Sequence, residues 1–316
     1  MKVYHNLNEF KPLKQAIATV GTFDGVHIGH QKLLKRIQEL AEREKGETVL
    51  LTFHPHPRLV LFPDDNDLKL ITTLDERIER LSRTGLDHLI VHPFTSEFSR
   101  TTAIEYVRDI LIKQIGVKKL VIGYDHHFGR NREGSLDNLK EMAPTFGFEV
   151  EEIPAQEIKD VNVSSTKIRN ALNEGDVKKA NSFLGYHFQL SGTVVKGSEI
   201  GSSLGFPTAN IEVDNPNKII PAPGVYATQA VINGREYKSM TNLGFRPTVH
   251  ENSQLTIESH LFNFDMDIYG ETITLRFIDR IREEVKFDNR ESLKDQIAKD
   301  AGIVQKVLAD WDNTHQ

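Results

Sequence analysis

The feature that most constrains the fold of this 316-residue chain is a change in the spacing of its apolar residues near residue 186. Before that point, short apolar runs alternate with segments whose apolar residues recur every three or four positions. Between about residues 187 and 281 the pattern is strand-like alternation, and an amphipathic segment follows. Since the two patterns need different layer arrangements, the sequence predicts two domains, residues 1–185 and 186–316.

The first domain is predicted to be an α/β, doubly wound sheet. Buried strands are predicted at residues 16–20, 48–53, 88–91, 119–122 and 148–153. Thr73 with Glu76 and Thr102 with Glu105 have the spacing of capping boxes, which predicts a helix start at each pair. Strands that alternate with helices form a parallel sheet covered on both faces, and ligands bind beyond the carboxyl ends of its strands.

The second domain is predicted to be a small β-barrel with a C-terminal helix. Strands are predicted at residues 225–232, 235–240, 255–261 and 272–278. Asn233-Gly234 separates the first two strands, and both positions of a type I′ hairpin turn accept these residues. No helix is expected between residues 187 and 281. The closing helix is predicted from apolar residues at helical spacing, namely Leu293, Ile297, Val304, Leu308 and Trp311.

Composition narrows the classes of function. A formal charge of −6 and an isoelectric point near 6.1 argue against a dedicated nucleic-acid or membrane-surface binder, because such proteins usually carry a basic excess. The absence of cysteine from the sequence excludes disulfides and thiolate metal sites. We expect a cytoplasmic protein with small-molecule partners and without nucleic-acid or membrane partners. The sequence does not fix its oligomeric state, and a monomer is compatible with it.

The segment Gly21-Thr-Phe-Asp-Gly-Val-His-Ile-Gly-His30 follows a predicted strand and opens a predicted helix. Its glycines permit close backbone approach, and a helix start offers N–H groups and a positive dipole end to an anion. His27 and His30 can donate hydrogen bonds to phosphate oxygens, which suits attack on an α-phosphate with pyrophosphate leaving. The alternatives are two incidental surface histidines or a zinc pair. A zinc site would need a third ligand, and none lies at a recognisable spacing, although His54 and His56 are close in sequence.

The segment Val163-Ser-Ser-Thr-Lys-Ile-Arg169 is a second candidate. Its hydroxyl residues are the expected caps of a helix start. The functional interpretation adds that such a start can hold distal phosphates, with Arg169 one turn in to neutralise charge. Both segments, in this order in an α/β domain, predict ATP binding and adenylyl transfer.

The string Gly205-Phe-Pro-Thr-Ala-Asn210 is the candidate site of the barrel. Thr208 and Asn210 expose oxygen ligands of the kind that suits Mg²⁺ bridging to nucleotide phosphates. The alternative is a capped turn at the barrel rim. Glu258 lies in a predicted strand, where a carboxylate either faces solvent or deprotonates an alcohol for in-line phosphoryl transfer. No Walker or protein-kinase motif occurs in the sequence.

These motifs carry a resemblance to known families. His27-Ile-Gly-His30 followed by Ser164-Ser-Thr-Lys-Ile-Arg169 resembles the nucleotidyltransferase superfamily related to class I aminoacyl-tRNA synthetases. Residues 21–31, 52–57 and 123–134, with Phe94, Phe98 and Ser99, are similar to the FMN adenylyltransferase half of bacterial bifunctional riboflavin kinase/FAD synthetase. The barrel resembles its riboflavin kinase half in residues 205–210, 223–226, 242–248, 257–261, 269–270 and 281–287.

The resemblance implies a Rossmann-like nucleotidyltransferase domain that adenylylates FMN to FAD and a barrel that phosphorylates riboflavin to FMN, both with MgATP. It implies a catalytic function for His27, His30 and Glu258, with Glu258 activating the ribityl hydroxyl. The ATP-binding residues of the first domain would be Gly21, Phe23, Asp24, His27, His30, Ser164, Ser165, Thr166 and Arg169. The flavin-binding candidates are Phe62, Tyr124, Asp125 and Phe128. The kinase site would bind ATP through Gly205, Pro207, Thr208 and Asn210, and Mg²⁺ through Thr208 and Asn210.

Two alternatives stay open at this point. The family commonly has arginine where this chain has Ser202, so the barrel could be a flavin-binding regulatory module without catalysis. RNA binding is the second alternative, because small barrels often bind nucleic acid. The acidic charge and the lack of a basic and aromatic stripe argue against RNA binding.

Overall fold

The computed structural model describes residues 1–64, 67–123, 128–130, 133–153, 163–197, 200–246 and 254–315. Its chain divides into two compact units, Met1–Ser165 and Thr166–Gln316. The boundary near residue 186 that the apolar pattern indicates stays a prediction. Among the helices that the structure describes, none combines the length and the hydropathy of a membrane span.

The first unit contains a six-stranded parallel sheet in the order β1-β4-β3-β2-β5-β6, which confirms the predicted doubly wound fold. Its strands are β1 Lys2–Tyr4, β2 Ala16–Val20, β3 Glu47–His54, β4 His88–Pro93, β5 Val117–Gly123 and β6 Glu149–Ile153. Strand β1 was not predicted, because three residues are too few to show a period. The strand order reverses between β2 and β5, so the carboxyl end of β2 lies at the switch point where such sheets bind ligands.

Helices cover both faces of this sheet. They are α1 Ile28–Glu44, α2 Pro57–Leu61, α3 Leu74–Ser82, α4 Ala103–Glu105, which continues as a π-helix over Tyr106–Ile115, and α5 Leu136–Phe146. The capping boxes predicted at Thr73 and Thr102 are both confirmed. Side chains alternate along β2, so Ala18 and Val20 pack into one apolar cluster while Ile17 belongs to the other.

The sheet ends on β1 and β6, and neither presents a long apolar edge. Strand β1 has three residues, and β6 reads Glu-Val-Glu-Glu-Ile. The glutamates of β6 form ion pairs: Glu149 with Lys119 at 2.9 Å, Glu151 with Arg36 at 2.6 Å and Glu152 with Lys140 at 3.5 Å. Short and charged edges pair poorly with the strands of other molecules.

The second unit is a closed six-stranded barrel with a C-terminal helix, as predicted. Its strands are β7 Gln189–Val195, β8 Ala209–Glu212, β9 Gly224–Ile232, β10 Arg235–Arg246, β11 Gln254–Leu261 and β12 Thr272–Glu283. Its helices are α6 Ser165–Glu174, which starts at the last residue of the first unit, α7 Val177–Leu184, α8 Ile200–Ser203 and α9 Arg290–His315. Helix α8 corrects the expectation of no helix between residues 187 and 281, since four residues give no readable periodicity.

The barrel has two kinds of buried surface. Outside, Val304 and Leu308 of α9 cluster with apolar residues of β9 and β10 such as Ala227 and Met240. The type I′ turn predicted between β9 and β10 is confirmed by φ values of 49° at Asn233 and 76° at Gly234. A second set of β9, β10 and β11 side chains is fully buried and hydroxylic, namely Thr228, Ser239, Thr241 and Ser259.

These four hydroxyls form a continuous hydrogen-bonded chain, the hydroxyl ladder. The Thr228 hydroxyl lies 2.8 Å from that of Ser239 and 2.7 Å from that of Thr241. The Thr241 hydroxyl lies 3.0 Å from that of Ser259 on β11. Buried polar groups are stabilising only when they are paired, and the ladder pairs each of its members across three strands.

Candidate active sites

The turn after β2 adopts a backbone that few side chains tolerate. Phe23 has φ 50°, Gly25 has φ 85° and Val26 has φ 39°, all in the left-handed region. Glycine adopts this region freely, whereas a phenylalanine or a β-branched valine is strained there. Strain of this kind persists only where the surroundings determine the conformation, and it is common at functional sites.

Asp24 supplies one of those constraints. Its carboxylate is 2% exposed and accepts hydrogen bonds from the backbone N–H of Ile71 at 3.1 Å and of Thr72 at 3.0 Å. The Thr72 hydroxyl also donates to it at 3.1 Å, and the Gly25 N–H donates to that hydroxyl at 3.0 Å. Asp24 therefore anchors the turn to residues 71–72, and its predicted contact with ATP stays a prediction.

His27 caps helix α1. Its Nδ1 accepts a hydrogen bond of 3.3 Å from the backbone N–H of His30, so one of the N–H groups predicted to be available to phosphate is already bonded within the protein. A neutral imidazole that accepts at Nδ1 carries its proton on Nε2. The cap therefore selects the tautomer in which His27 is a hydrogen-bond donor at Nε2.

His30 lies in a stack of three rings. Its ring centroid is 3.7 Å from that of His27 with an interplanar angle of 14°, and 4.5 Å from that of Phe23 with an angle of 27°. Burial lowers the pKa of His30 well below its usual value, and the charges of His27 and Arg77 lower it further. Two stacked imidazolium ions would repel each other, so this arrangement favours the neutral form of His30. Its Nδ1 is buried without a hydrogen-bond partner among the residues that the structure describes.

The serine motif reaches this turn through Ser165. Its hydroxyl donates a 3.0 Å hydrogen bond to the carbonyl oxygen of Asp24, and helix α6 starts at the same residue. Ser164 precedes the helix and is exposed. The structure therefore brings the serine and histidine motifs together within the first unit. Thr166 and Arg169 follow on α6 inside the second unit, and their contact with ATP stays a prediction.

The predicted flavin contacts have different surroundings. Phe62, which caps the end of α2, is 55% exposed. Phe128 is 6% exposed and its ring centroid lies 5.5 Å from that of Tyr106, so it packs as a core residue, and its flavin contact stays a prediction. Tyr124 and Asp125 lie outside the residues that the structure describes.

Gly21, also predicted to bind ATP, donates its N–H to the carbonyl of Leu51 at 3.1 Å at the start of the turn. A Cβ on this residue would lie 3.1 Å from the ring of Phe23. The glycine thus leaves room for the ring that stacks on His30.

The zinc interpretation of the histidine pair gains no support, since the described residues contain no group of three or more potential metal ligands.

Arg77 is a residue near this site that the sequence did not indicate. It is 5% exposed, and its guanidinium donates to the carbonyl oxygens of Thr22 and Phe53. The only signal in the sequence was a cation at helical spacing among the apolar residues of α3, namely Leu74, Ile78 and Leu81. That spacing identifies a buried face but not the carbonyls that the guanidinium contacts.

Two candidate residues of the barrel lie on neighbouring strands, and the others lie just before the first of these strands. Asn210 of β8 is paired in register with Glu258 of β11, and the Thr208 hydroxyl lies 3.5 Å from a carboxylate oxygen of Glu258. Ile257 and Ser259 are buried while Glu258 is half-buried, because successive side chains of a strand point to opposite faces. Strand pairing and the residue before β8 thus bring together three of the predicted kinase residues, Thr208, Asn210 and Glu258.

Close backbone approach surrounds these side chains. A Cβ on Gly197 would lie 1.9 Å from the side-chain amide nitrogen of Asn210, so only glycine fits there without displacing the amide. Gly205 has φ 86°, a conformation that favours glycine. The His260 ring donates from Nδ1 to the carbonyl of Pro207 at 2.8 Å. The pattern of the sequence did not reveal the contacts of Gly197 and His260, because both are made across strands or loops.

Comparison with known proteins covers both units. The family model described as FAD synthetase matches residues 10–167, and the one described as riboflavin kinase matches residues 184–308. A bifunctional riboflavin kinase/FMN adenylyltransferase of Listeria monocytogenes is 36% identical over 284 residues, which cover 90% of each chain. One of Bacillus subtilis is 37% identical over 303 residues, which cover 94% of this chain and 93% of the relative.

A solved structure described as a macrolide-efflux protein from Streptococcus pneumoniae is similar over nearly the whole chain. The TM-score is 0.87 at 32% sequence identity, with 96% of this chain and 98% of that chain covered.

Proposed function

The chain belongs to the bifunctional riboflavin kinase/FMN adenylyltransferase family, and on that premise we propose the site and the mechanism of each reaction. The enzyme phosphorylates riboflavin to FMN with ATP and then adenylylates FMN to FAD with ATP, releasing pyrophosphate. The observation that supports separate sites is that each unit contains its own cluster of predicted residues. The first is Phe23, His27, His30 and Ser165, and the second is Thr208, Asn210 and Glu258.

For adenylyl transfer, the two histidines act on the triphosphate of ATP. A phosphate oxygen of FMN attacks the α-phosphorus, a new P–O bond forms, and the bond to the β-phosphate oxygen breaks. His27 donates from Nε2, the nitrogen that its capping bond leaves protonated, and neutral His30 donates to the same developing charge. Ser164, Ser165, Thr166 and Arg169 are proposed to hold the distal phosphates, as the motif predicts.

For phosphoryl transfer, Glu258 accepts the proton of the ribityl hydroxyl as that oxygen attacks the γ-phosphorus of ATP. The new P–O bond forms as the bond from the γ-phosphorus to the β–γ bridging oxygen breaks, and ADP leaves. Thr208, Asn210 and Glu258 together offer a hydroxyl, an amide oxygen and a carboxylate, all of them oxygen ligands of the type that Mg²⁺ prefers. We propose that Thr208 and Asn210 would hold Mg²⁺ together with the nucleotide phosphates. The chemistry that Mg²⁺ supplies when bound is to offset phosphate charge.

The barrel is not proposed to be a regulatory module, although Ser202 stands where the family commonly has arginine. Thr208, Asn210 and Glu258 are assembled, and the matches to the bifunctional relatives cover about nine-tenths of the chain or more. Its substrates are ATP, riboflavin and FMN. We propose the cytoplasm as its location, because both reactions consume ATP.

The experiment that tests the assignment of sites supplies riboflavin, ATP and Mg²⁺ to the purified protein and separates the flavins by chromatography. A parallel reaction starts from FMN. We expect riboflavin to be converted to FMN and then to FAD. We also expect FAD to form from supplied FMN when the barrel site is inactivated by substitution. Loss of both reactions on substituting either cluster alone would contradict two independent sites.

A further inference from the structure

We infer that Arg77 is a positioning residue for adenylyl transfer, whose guanidinium fixes the turn that carries the ring stack against the end of strand β3. This inference rests on the proposed function of the His27 and His30 site. It concerns a residue outside both motifs, on helix α3.

The contacts of the guanidinium join three elements. One terminal nitrogen donates to the carbonyl oxygen of Thr22 in the turn, and the other donates to that of Phe53 in β3 at 3.3 Å. The Thr22 carbonyl also accepts a 3.2 Å hydrogen bond from the Thr52 hydroxyl. The carbonyl immediately before Phe23 is therefore held by donors from α3 and β3. Since the ring of Phe23 stacks on His30, a shift of this carbonyl would move the imidazole.

A charged side chain is unusual on a buried, apolar helix face. Arg77 lies on the apolar stripe of α3 and is 5% exposed, where an apolar side chain of similar volume packs without a desolvation penalty. Burial lowers the pKa of its guanidinium, and the nearby Asp24 carboxylate opposes that effect. The Nε atom is buried with no hydrogen-bond partner in the part of the chain that the structure describes. The buried charge is thus only partly compensated by its own contacts.

The charge of Arg77 also acts on two nearby histidines, His30 and His54. The pKa of His30 is lowered mainly by burial, then by the charge of His27, and third by the charge of Arg77. The pKa of His54, at the end of β3, is lowered mainly by burial and second by the charge of Arg77. The groups that act on His30 are therefore His27 and Arg77, both unfavourable to its protonation. The positive charge of Arg77, next to the turn, favours the neutral form of His30 and the binding of an anion at this site.

The test compares Arg77→Met, which removes the charge and both donors, with Arg77→Lys, which keeps the charge on a single donor head. We expect Arg77→Met to lower kcat for FAD formation from FMN by up to about 100-fold, with a smaller change in KM for ATP, because the ring stack is misplaced. Arg77→Lys should recover part of this loss. The acid limb of the pH profile should move to higher pH in Arg77→Met, since His30 loses a neighbouring cation.

The same chain provides the controls. Phosphorylation of riboflavin by the barrel should keep its wild-type kcat in both variants, and Arg83→Met, an exposed arginine that follows α3, should change neither reaction. A wild-type kcat and pH profile for Arg77→Met would overturn the inference. Should Arg77→Met fail to fold, Arg77→Lys decides, because an ammonium cannot reproduce the forked hydrogen bonds to both carbonyls. Wild-type adenylyl transfer by Arg77→Lys at every pH would then equally overturn the inference. Absence of FAD synthesis in the wild-type protein would instead contradict the proposed function.

Discussion

The two units hold their reactive side chains by different means. In the first unit they lie on a turn and at the start of a helix, where the backbone is not hydrogen-bonded to a neighbouring strand. In the second unit Asn210 and Glu258 lie on paired strands, where the register places them opposite each other. A turn has to be fixed by individual side chains, whereas a strand is fixed by its whole ladder.

The anchors of the two sites differ accordingly. Behind the turn are two buried charges, the Asp24 carboxylate and the Arg77 guanidinium, each bonded to backbone groups. Behind β11 is the neutral hydroxyl ladder through Thr241 and Ser259. The first site is thus anchored by buried charged groups, whereas the second is anchored by neutral hydroxyls. Because the two sets of anchors lie in different units, we expect a substitution in one set to affect one activity.

The largest effect is expected from Glu258→Gln. Removing the base should lower riboflavin phosphorylation by about 10²–10⁴-fold, while FAD synthesis from supplied FMN stays at the wild-type rate. The two rates are measured by chromatography on the same preparation. A parallel loss of both reactions would remove the basis of the comparison, because the sites would then not be independent.

The matching substitution in the first unit is His27→Asn. Asparagine is a good helix cap, so this change keeps the cap of α1 while removing the imidazole. We expect FAD synthesis from FMN to fall by about 10²–10³-fold, with riboflavin phosphorylation unchanged. His27→Ala removes both the cap and the ring. If His27→Ala has the same rate of FAD synthesis as His27→Asn but a lower melting temperature, the cap contributes to stability and the ring to catalysis. Wild-type FAD synthesis in His27→Asn would exclude His27 from the chemistry.

Gly197→Ala tests whether the close contact between the Gly197 backbone and the Asn210 side chain is needed for the kinase reaction, as the strained turn is proposed to be for adenylyl transfer. The new Cβ would meet the amide of Asn210 at 1.9 Å, so that amide has to move. We expect riboflavin phosphorylation to fall about tenfold or more, with a raised KM for MgATP. Gly302→Ala is the matched control, since nothing lies within 4 Å of its Cβ position on α9. Equal kinetics in the two variants would refute this role of Gly197.

Thr241→Val tests the hydroxyl ladder. It keeps the shape of the side chain but leaves the buried hydroxyls of Thr228 and Ser259 each short of one partner, which we expect to destabilise the barrel by about 1–3 kcal/mol. Thr19→Val is the same change in the first unit, where the buried hydroxyl has no partner among the described residues, so little or no loss is expected. Calorimetric unfolding of both variants measures the difference. Equal destabilisation would mean that methyl packing, and not the ladder, determines the result.

The smallest effect is the pH dependence of the first unit. The folded-state pKa of His30 lies below the unfolded value of about 6.5, so below that pH the unfolded chain binds more protons. The unfolding free energy of this unit should therefore fall as the pH drops from about 7 towards 5. His30→Asn should flatten part of the decline in a melting-temperature series, whereas His5→Gln, which changes an exposed ring, should not. An unchanged slope in His30→Asn would show that His30 is not the group responsible.

Local patterns predicted most of the elements but few of the anchors. Strand β2 matches residues 16–20 because every residue in it is buried, and the Asn233-Gly234 turn matches because its chemistry is local. The contact of Asp24 with ATP stays a prediction from the resemblance. Its hydrogen bonds to residues 71–72 were not predicted, because those partners lie 47 and 48 positions away in the sequence. Arg77 was missed for the same reason.

The two clusters follow the same rule. The histidine and serine motifs were predicted from short strings, whereas their contact through Ser165 and Asp24 joins residues 141 positions apart. The pairing of Asn210 with Glu258 depends on a barrel register that alternation along one strand cannot specify. Sequence therefore indicates which side chains are reactive, and non-local contacts determine which of them meet.

The edges of the two sheets determine how readily one copy of this protein can pair its strands with those of another copy. The barrel closes on itself, and the parallel sheet ends on a strand of three residues and on one whose glutamates are ion-paired. None of the described strands offers the long, apolar, unpaired edge from which intermolecular sheets and fibrils grow. The described strands therefore offer few edges to which another copy of the chain could add a strand.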